Sequence, residues 1–323
     1  METLQQPLSS PFGAATTAAE VVAGLDLSGR LAVITGGYSG LGLVTTKALA
    51  KVGAKVIVPA RDPERARAML GDTDGVRVMT MDLLKPDSIK AFSERIVNKP
   101  ISLLINCAGI MAAPLARDTD GHESQFAVNH LGHFRLTCSL WPALVASGNA
   151  RVVSVSSRGH QIAGIEFDDI DFVHRPYDKW TAYGQSKTAN ALFAMSLDRR
   201  GRDCGVRAFS LHPGQIMTNL ARYLDNDEIE AFDVFDEHGQ QRVDPKIGLK
   251  TIEQGAATGL WCATSSQLDG LGGVYCEDCN IAPINHSEIG RKGVAQWAAD
   301  PENAERLWQL SEKWTGMTIG PIA

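Results

Sequence analysis

No apolar run in the 323 residues approaches the roughly 18–20 that a membrane-crossing helix needs, so no span is expected. The stretch Met1 to Gly13 lacks a charged n-region and a continuous apolar segment, so no signal peptide is read and a cytoplasmic location is the expectation. Positive charge is not in excess. Lys and Arg number 31 against 37 Asp and Glu, a formal net charge of −6, which provides no basic footprint for nucleic acid. Cysteine is sparse, at six residues: Cys107, Cys138, Cys204, Cys262, Cys276 and Cys279. They are scattered through strand-like and helix-like regions, as reduced thiols would be, with no disulfide framework. Cys276-Glu-Asp-Cys279 has metal-ligand spacing, but no second C-x-x-C and no His pair accompanies it. A four-coordinate zinc site would need two further ligands, so a buried structural thiol pair is the better reading and no metal is expected.

Hydrophobic content of 44% with 21% charged residues is ordinary for a chain that buries a full core. Neither an internal linker nor a repeat is visible, so one domain is expected at residues 29–323. Residues 1–28 precede it as an arm: 1–13 read as disordered, and Thr16 to Leu25 as a short helix. Apolar, β-branched runs then alternate with helical patterns. Leu31–Thr35 precedes a helix near 41–51, Ala54–Pro59 one near 63–70, and Val76–Met81 one near 87–97. Ile101–Ile105 precedes a long helical region around 123–145; Arg151–Ser156 leads through a longer insert to a helix near 181–199, then Val206–Leu211. This alternation predicts an α/β fold with a parallel sheet of about seven strands and helices on both faces.

The first strand runs into Thr35-Gly36-Gly37-Tyr38-Ser39-Gly40-Leu41-Gly42, and a helix follows. Glycines allow a tight turn and let a pyrophosphate reach the helix N-terminus, where free N–H groups and the dipole favour anions. Placed between a first strand and a first helix, this turn predicts a doubly wound, Rossmann-type dinucleotide fold. The second strand ends Val58-Pro59-Ala60-Arg61-Asp62. Arg61 stands where a 2′-phosphate partner is expected, which favours NADP(H) as cofactor. Asp62 keeps NAD(H) open, since a shift of one residue would put a carboxylate in the pocket instead.

Tyr183-Gly184-Gln185-Ser186-Lys187 places a phenol and an ammonium on one face of a helix. A fixed cation beside a tyrosine favours the phenolate, and moving its pKa from about 10 to about 7 takes on the order of 4 kcal/mol. Such a tyrosine can pass a proton to or from an alcohol or ketone oxygen.

With both motifs in place, the chain resembles the short-chain dehydrogenase/reductase family over roughly residues 28 to 285. The turn from Thr35 to Gly42 matches the family's T-G-x-x-x-G-x-G, which implies cofactor contacts at Gly36, Tyr38, Ser39, Gly40, Leu41 and Gly42. Asp82-Leu83 matches the pair that flanks the adenine. Asn106-Cys107-Ala108-Gly109 matches N-N-A-G, with Cys107 in place of the second asparagine. Asn129 in Val-Asn-His-Leu-Gly matches the catalytic asparagine, and Ser157 the catalytic serine, with Ser156 as its rival. Pro213-Gly214, Ile216 and Thr218 match the loop that contacts the nicotinamide carboxamide. The resemblance implies that Ser157 holds the substrate oxygen, Tyr183 exchanges the proton, Lys187 tunes Tyr183 and holds the nicotinamide ribose, and Asn129 steadies a water. His130, His133, His160 and His212 lack metal-ligand context and read as ordinary hydrogen-bonded histidines.

The interval of 26 positions (183 − 157) from Ser157 to Tyr183 contains Ile165-Glu166-Phe167-Asp168-Asp169-Ile170, similar to the retinol dehydrogenase-like and carbonyl reductase-like branches. In some relatives such an insert covers a helix used for assembly, so monomer and homo-oligomer both stand open. The stretch 219–245 is acidic with several aromatics and reads as a lid over the substrate cleft. The expected activity is hydride transfer between NADP(H) and a fairly apolar carbonyl or secondary alcohol. The alternatives are a sugar-nucleotide epimerase or dehydratase, whose T-G-x-x-G-x-x-G would place glycine at Ser39, and a non-catalytic NADP-binding sensor.

Overall fold

The computed structural model describes residues 4–286 and 292–320. Its frame is a sheet whose strands are rich in β-branched and apolar residues, as strands covered on both faces must be. In chain order come α1 (Ala18–Val21), β1 (Leu31–Thr35), α2 (Gly40–Lys51), β2 (Lys55–Ala60), α3 (Pro63–Leu70), β3 (Val76–Thr80), α4 (Pro86–Glu94) and β4 (Leu103–Asn106). Then follow α5 (Ser124–Phe126), α6 (Gly132–Ala146), β5 (Ala150–Val155), α7 (Lys179–Gly201), β6 (Val206–His212), α8 (Asn226–Ala231) and α9 (Ile252–Thr264). The chain closes with β7 (Val274–Glu277), β8 (Asn280–Ile281), β9 (Ile284–Asn285), β10 (Val294–Ala295) and α10 (Pro301–Thr315).

The strand order is β3-β2-β1-β4-β5-β6-β7-β8, parallel throughout except for the antiparallel β7–β8 pair. Seven parallel strands match the expected number; the short eighth, and the separate β9–β10 pair, are additions. The order reverses between β1 and β4, and such a switch point opens a crevice at the carboxyl ends of the strands.

Helix boundaries follow local chemistry. Asp62 caps α3 ahead of Pro63, Asp178 caps α7, and Thr251 with Gln254 forms a capping box on α9. The long helix expected over 123–145 is interrupted: α5 passes into a π-helical turn at Ala127–Leu131 before α6. Asn129 sits in that turn, and π-turns inside helices recur at functional sites.

Two apolar layers sandwich the sheet. Helices α2 and α9 cover one face, with Trp261 fully buried. On the other, Phe134, Phe193 and Trp308 form a ring cluster, Trp308 stacking on Phe193 at 5.9 Å between centroids. Burying a side chain of this size contributes about 1.5–3 kcal/mol. Trp308 belongs to α10, which therefore packs along α7, reinforced by the Arg200–Glu305 ion pair at 2.8 Å.

The arm is not the disordered segment expected from its sequence. Gln5 Nε2 donates to the carbonyls of Tyr275 and Ala282, Gln5 Oε1 accepts from the Tyr275 N–H, and Leu8 pairs with the Asn280 side chain. The arm satisfies backbone groups at the β7 edge, which is why residues 4–8 are ordered. Residues 1–3 lie outside the described residues. The helix expected over 16–25 is reduced to α1, capped by Thr17. Among the described residues no helix is long and apolar enough to cross a membrane.

Candidate active site

A cavity of about 630 Å³ opens at the switch point, over the carboxyl ends of β1, β2, β4, β5 and β6. Thr35 closes β1, and its Oγ1 accepts the N–H groups of Cys107 and Ala108 at 2.9 and 3.0 Å, tying the end of β4 to the turn. Gly36 then adopts φ 67°, and a Cβ at Gly42 would lie 2.3 Å from the Gly36 carbonyl oxygen. Only glycines let the turn fold onto the first turn of α2. Gly36, Tyr38, Ser39, Gly40, Leu41 and Gly42 all line the cavity. Ser39 at the N-cap of α2 makes no side-chain capping bond, so the leading N–H groups there lack a side-chain acceptor. That arrangement suits a pyrophosphate.

Arg61 lines the cavity at the end of β2, and so does Arg65 one helical turn on. Arg65 escaped the sequence reading, although its i, i+4 spacing from Arg61 was a usable signal. Asp62 goes elsewhere: its carboxylate accepts the Arg65 N–H at 3.0 Å as the cap of α3. Asp82 and Leu83 line the wall as expected, the Asp82 carboxylate accepting the Leu84 N–H at 3.0 Å. Cys107, Ala108 and Gly109 reach the cavity, whereas Asn106 lies beneath it, fully buried and with no partner for its side-chain amide. Pro213, Gly214, Ile216 and Thr218 supply the opposite rim.

Tyr183, Lys187 and Ser157 share one wall. The Ser157 hydroxyl hydrogen-bonds the Tyr183 phenol and also accepts the Gly159 N–H at 3.0 Å. Ser156, the rival, turns away: its Oγ donates to the Lys187 carbonyl at 2.7 Å and is buried. A Cβ at Gly159 would come 2.6 Å from the Tyr183 ring, so glycine there admits the ring edge-on to the serine loop. Asn129 stands behind the wall, outside the cavity. Its side chain pairs with both the N–H and the carbonyl of Ile110 at 2.9 Å and donates to Ser186 Oγ. It therefore shapes the Gly109–Ile110 segment, against which Lys187 Nζ also lies.

The expected electrostatics are not found in the protein by itself. Burial pushes the Tyr183 phenol up to about 12, only partly opposed by the Ser157 hydrogen bond. Burial likewise pulls the Lys187 ammonium down to about 8. Nζ is 5.6 Å from the tyrosine ring centroid, and loss of water outweighs its attraction for a phenolate at that range. Burial also raises the neighbouring Cys107 thiol to about 11.

His130, His133, His160 and His212 are all buried and hydrogen-bonded: to Ser311, to Thr35 and the Asn129 carbonyl, to the Ser157 carbonyl, and to the Arg158 N–H respectively. Cys276 and Cys279 are buried free thiols. The segment 219–245 contributes Leu220, Leu224, Phe232 and Val234 to the far wall. Trp180, one turn before Tyr183, joins them edge-to-face with Phe232 at 5.7 Å and donates to Glu228 of α8 at 3.1 Å. Trp180 too was missed in the sequence, though the i, i+3 spacing placed it on the Tyr183 face.

The family model for the short chain dehydrogenase matches residues 30–229. The chain belongs to the short-chain dehydrogenase/reductase family, a family of NAD(P)-dependent oxidoreductases. Among curated relatives, a "Probable oxidoreductase" of Streptomyces antibioticus is 43% identical over 293 residues, covering 88% of this chain and 97% of that protein. Retinol dehydrogenase 12 of Mus musculus is 37% identical over 303 residues, covering 91% and 88% respectively, which agrees with the retinol dehydrogenase-like branch. A crystal structure of a protein from Mycobacterium paratuberculosis superposes with a TM-score of 0.72 at 34% identity, covering 95% of this chain and all of that one.

Proposed function

We propose that the enzyme interconverts a fairly apolar carbonyl and its secondary alcohol with NADP(H). The observation that carries this reading is the convergence of Ser157, Tyr183 and Lys187 on one cavity whose other end holds the glycine turn and Arg61. The cofactor, when bound, supplies the hydride; its pyrophosphate fits the open N-terminus of α2 and its 2′-phosphate fits Arg61 and Arg65. Asp62 is committed to capping α3, which favours NADP(H) over NAD(H).

In the reductive direction Ser157, its Oγ held by the Gly159 N–H, turns its hydroxyl hydrogen from the Tyr183 phenol to the substrate oxygen. As the carbon gains the hydride, Tyr183 transfers its phenolic proton to the oxygen, and the alcohol forms. Lys187 holds the cofactor ribose and stabilises the phenolate left on Tyr183. Asn129 holds the Ile110 segment; both its amide hydrogens are taken, by the Ile110 carbonyl and Ser186 Oγ, so its side chain is not the holder of a water that the resemblance implied. Oxidation runs the same steps backwards. A phenol raised by burial keeps its proton available for the alkoxide formed in reduction, and it needs the charges of the assembled complex before it serves as the base.

The substrate end is walled by Ile162, Trp180, Met217, Leu220 and Phe232, which supports an apolar body next to the reacting oxygen. Tyr183→Phe tests the reading: NADPH binding by fluorescence titration should persist while ketone turnover falls about 10²–10⁴-fold. Full activity in that variant would refute it.

A further inference from the structure

The peptide group joining Ser157 to Arg158 is gripped at both ends by side chains. Its carbonyl oxygen lies 2.6 Å from His160 Nδ1 and 3.2 Å from the Tyr275 hydroxyl. Its N–H donates to His212 Nδ1 at 3.0 Å. The direction of these bonds follows from their surroundings. The Ala295 N–H donates to His160 Nε2 at 3.0 Å, so Nε2 is the acceptor and Nδ1 of the neutral ring carries the hydrogen. The Ser157 carbonyl, which already accepts the His160 N–H at 3.1 Å, thus takes two side-chain donors as well, from His160 and Tyr275. Burial keeps both imidazoles neutral, His160 at about 4 and His212 well below its ordinary value.

One turn peptide seldom needs three buried side chains to satisfy it. Here the consequence is geometric. Turning this peptide plane changes ψ of Ser157 and breaks all three bonds at once, and the Gly159 N–H that meets Ser157 Oγ would move with it. We propose that His160, His212 and Tyr275 are positioning residues that fix the hydroxyl of Ser157 by clamping the Ser157–Arg158 peptide. The proposal rests on the reading of Ser157 given above and goes beyond it in assigning a role to the last third of the chain. Tyr275 belongs to β7 and Ala295 to β10, both outside the residues 30–229 that match the family. The same region grips His160 a second time, since Trp297 Nε1 donates to the His160 carbonyl at 3.0 Å, which also accepts Thr188 Oγ1 of α7 at 3.1 Å. Tyr275 is itself held through its N–H by Gln5 of the arm at 2.9 Å. The clamp thereby ties both termini of the fold to the serine.

Tyr275→Phe removes one donor and keeps the ring among Ala191, Ala282, Val294 and Ala298. It should lower kcat for ketone reduction about 3- to 10-fold with NADPH Kd unchanged, the cost of one lost hydrogen bond acting on the transition state. Combined with Ser157→Ala in a double-mutant cycle, it should cost nothing further, because its effect passes through the serine. An equal loss in both backgrounds, or no loss in the parent, overturns the clamp. Nitrogen-15 spectra of the histidines provide a readout independent of turnover. His160 should be neutral at pH 6 with hydrogen on Nδ1, and His212 neutral with hydrogen on Nε2; the opposite tautomer at either ring overturns the proposal. Absence of ketone turnover in the parent, or full activity in Ser157→Ala, would instead count against the proposed function.

Discussion

Lys187 Nζ donates to the carbonyl oxygen of Val155 at 3.0 Å, and Asn190 Nδ2 donates to the same oxygen at 3.0 Å. One residue later Ser156 Oγ donates back to the Lys187 carbonyl. The last residues of β5 and the middle of α7 are therefore held in a set register. Ser157, next in the chain, is delivered opposite Tyr183, one helical turn before Lys187. The bond to Val155 also gives the buried ammonium a fixed acceptor where no carboxylate among the described residues pairs with it.

That buried ammonium has a consequence for stability. Its folded pKa of about 8 lies below the ordinary value of about 10.4. Between these limits the unfolded chain keeps a proton that the folded chain has released, so stability rises with pH across that window. Below about pH 8 both states are protonated and the full cost of the buried charge is present. Lys187→Met should therefore raise the Tm of the cofactor-free protein by about 2–6 °C near pH 7, with the gain shrinking toward pH 10.5. Thermal melts across pH check this; a gain independent of pH would refute the assigned cause.

Cofactor choice separates Arg61 from Asp62. Arg61→Ala should weaken NADPH about 10- to 100-fold, the worth of a charged hydrogen bond, and leave NADH within about threefold. Asp62→Ala should instead cost about 1 kcal/mol of stability through the lost cap of α3, without altering the NADPH-to-NADH ratio. Equal weakening of both nucleotides by Arg61→Ala would rule out a 2′-phosphate contact.

Glu228 joins the segment 219–245 to α7, pairing with Lys179 at 2.7 Å and with Trp180 Nε1 at 3.1 Å. If this segment is the lid over the substrate, Glu228→Ala should raise KM for an apolar ketone about 3- to 10-fold and speed proteolytic cleavage within 219–245, while NADPH Kd stays put. Unchanged KM alongside faster cleavage would mean that the contact orders the segment without shaping the substrate site.

The frame of the site was legible because it depends on local periods. Strand runs such as Leu31–Thr35 and helices such as Pro63–Leu70 stand within a residue or two of where sequence pattern placed them. The glycine turn was legible for the same reason, since its strand–turn–helix context is contiguous. Less visible was anything requiring distant partners. The link between Tyr275 and His160 spans 115 residues, and the bond from Gln5 to Tyr275 spans 270. The π-helical turn at Asn129 leaves no periodic signature either, because one extra residue per turn is invisible to a hydrophobic pattern.

Spacing alone determined that Tyr183 and Lys187 share a helix face, and residue order alone determined that a glycine-rich strand–turn–helix precedes them. Neither carries information on burial. Only the packed structure decided that both groups lose their water, so that the phenol is pushed up and the ammonium down, the reverse of what a cation beside a tyrosine does in solvent. The same packing commits the Ser156 hydroxyl to α7 and leaves Ser157 beside Tyr183, and it brings residues near the end of the chain against His160, which holds the Ser157 carbonyl. Local order is written in short-range pattern, whereas desolvation and long-range hydrogen bonds exist only once the sheet and its helices have closed.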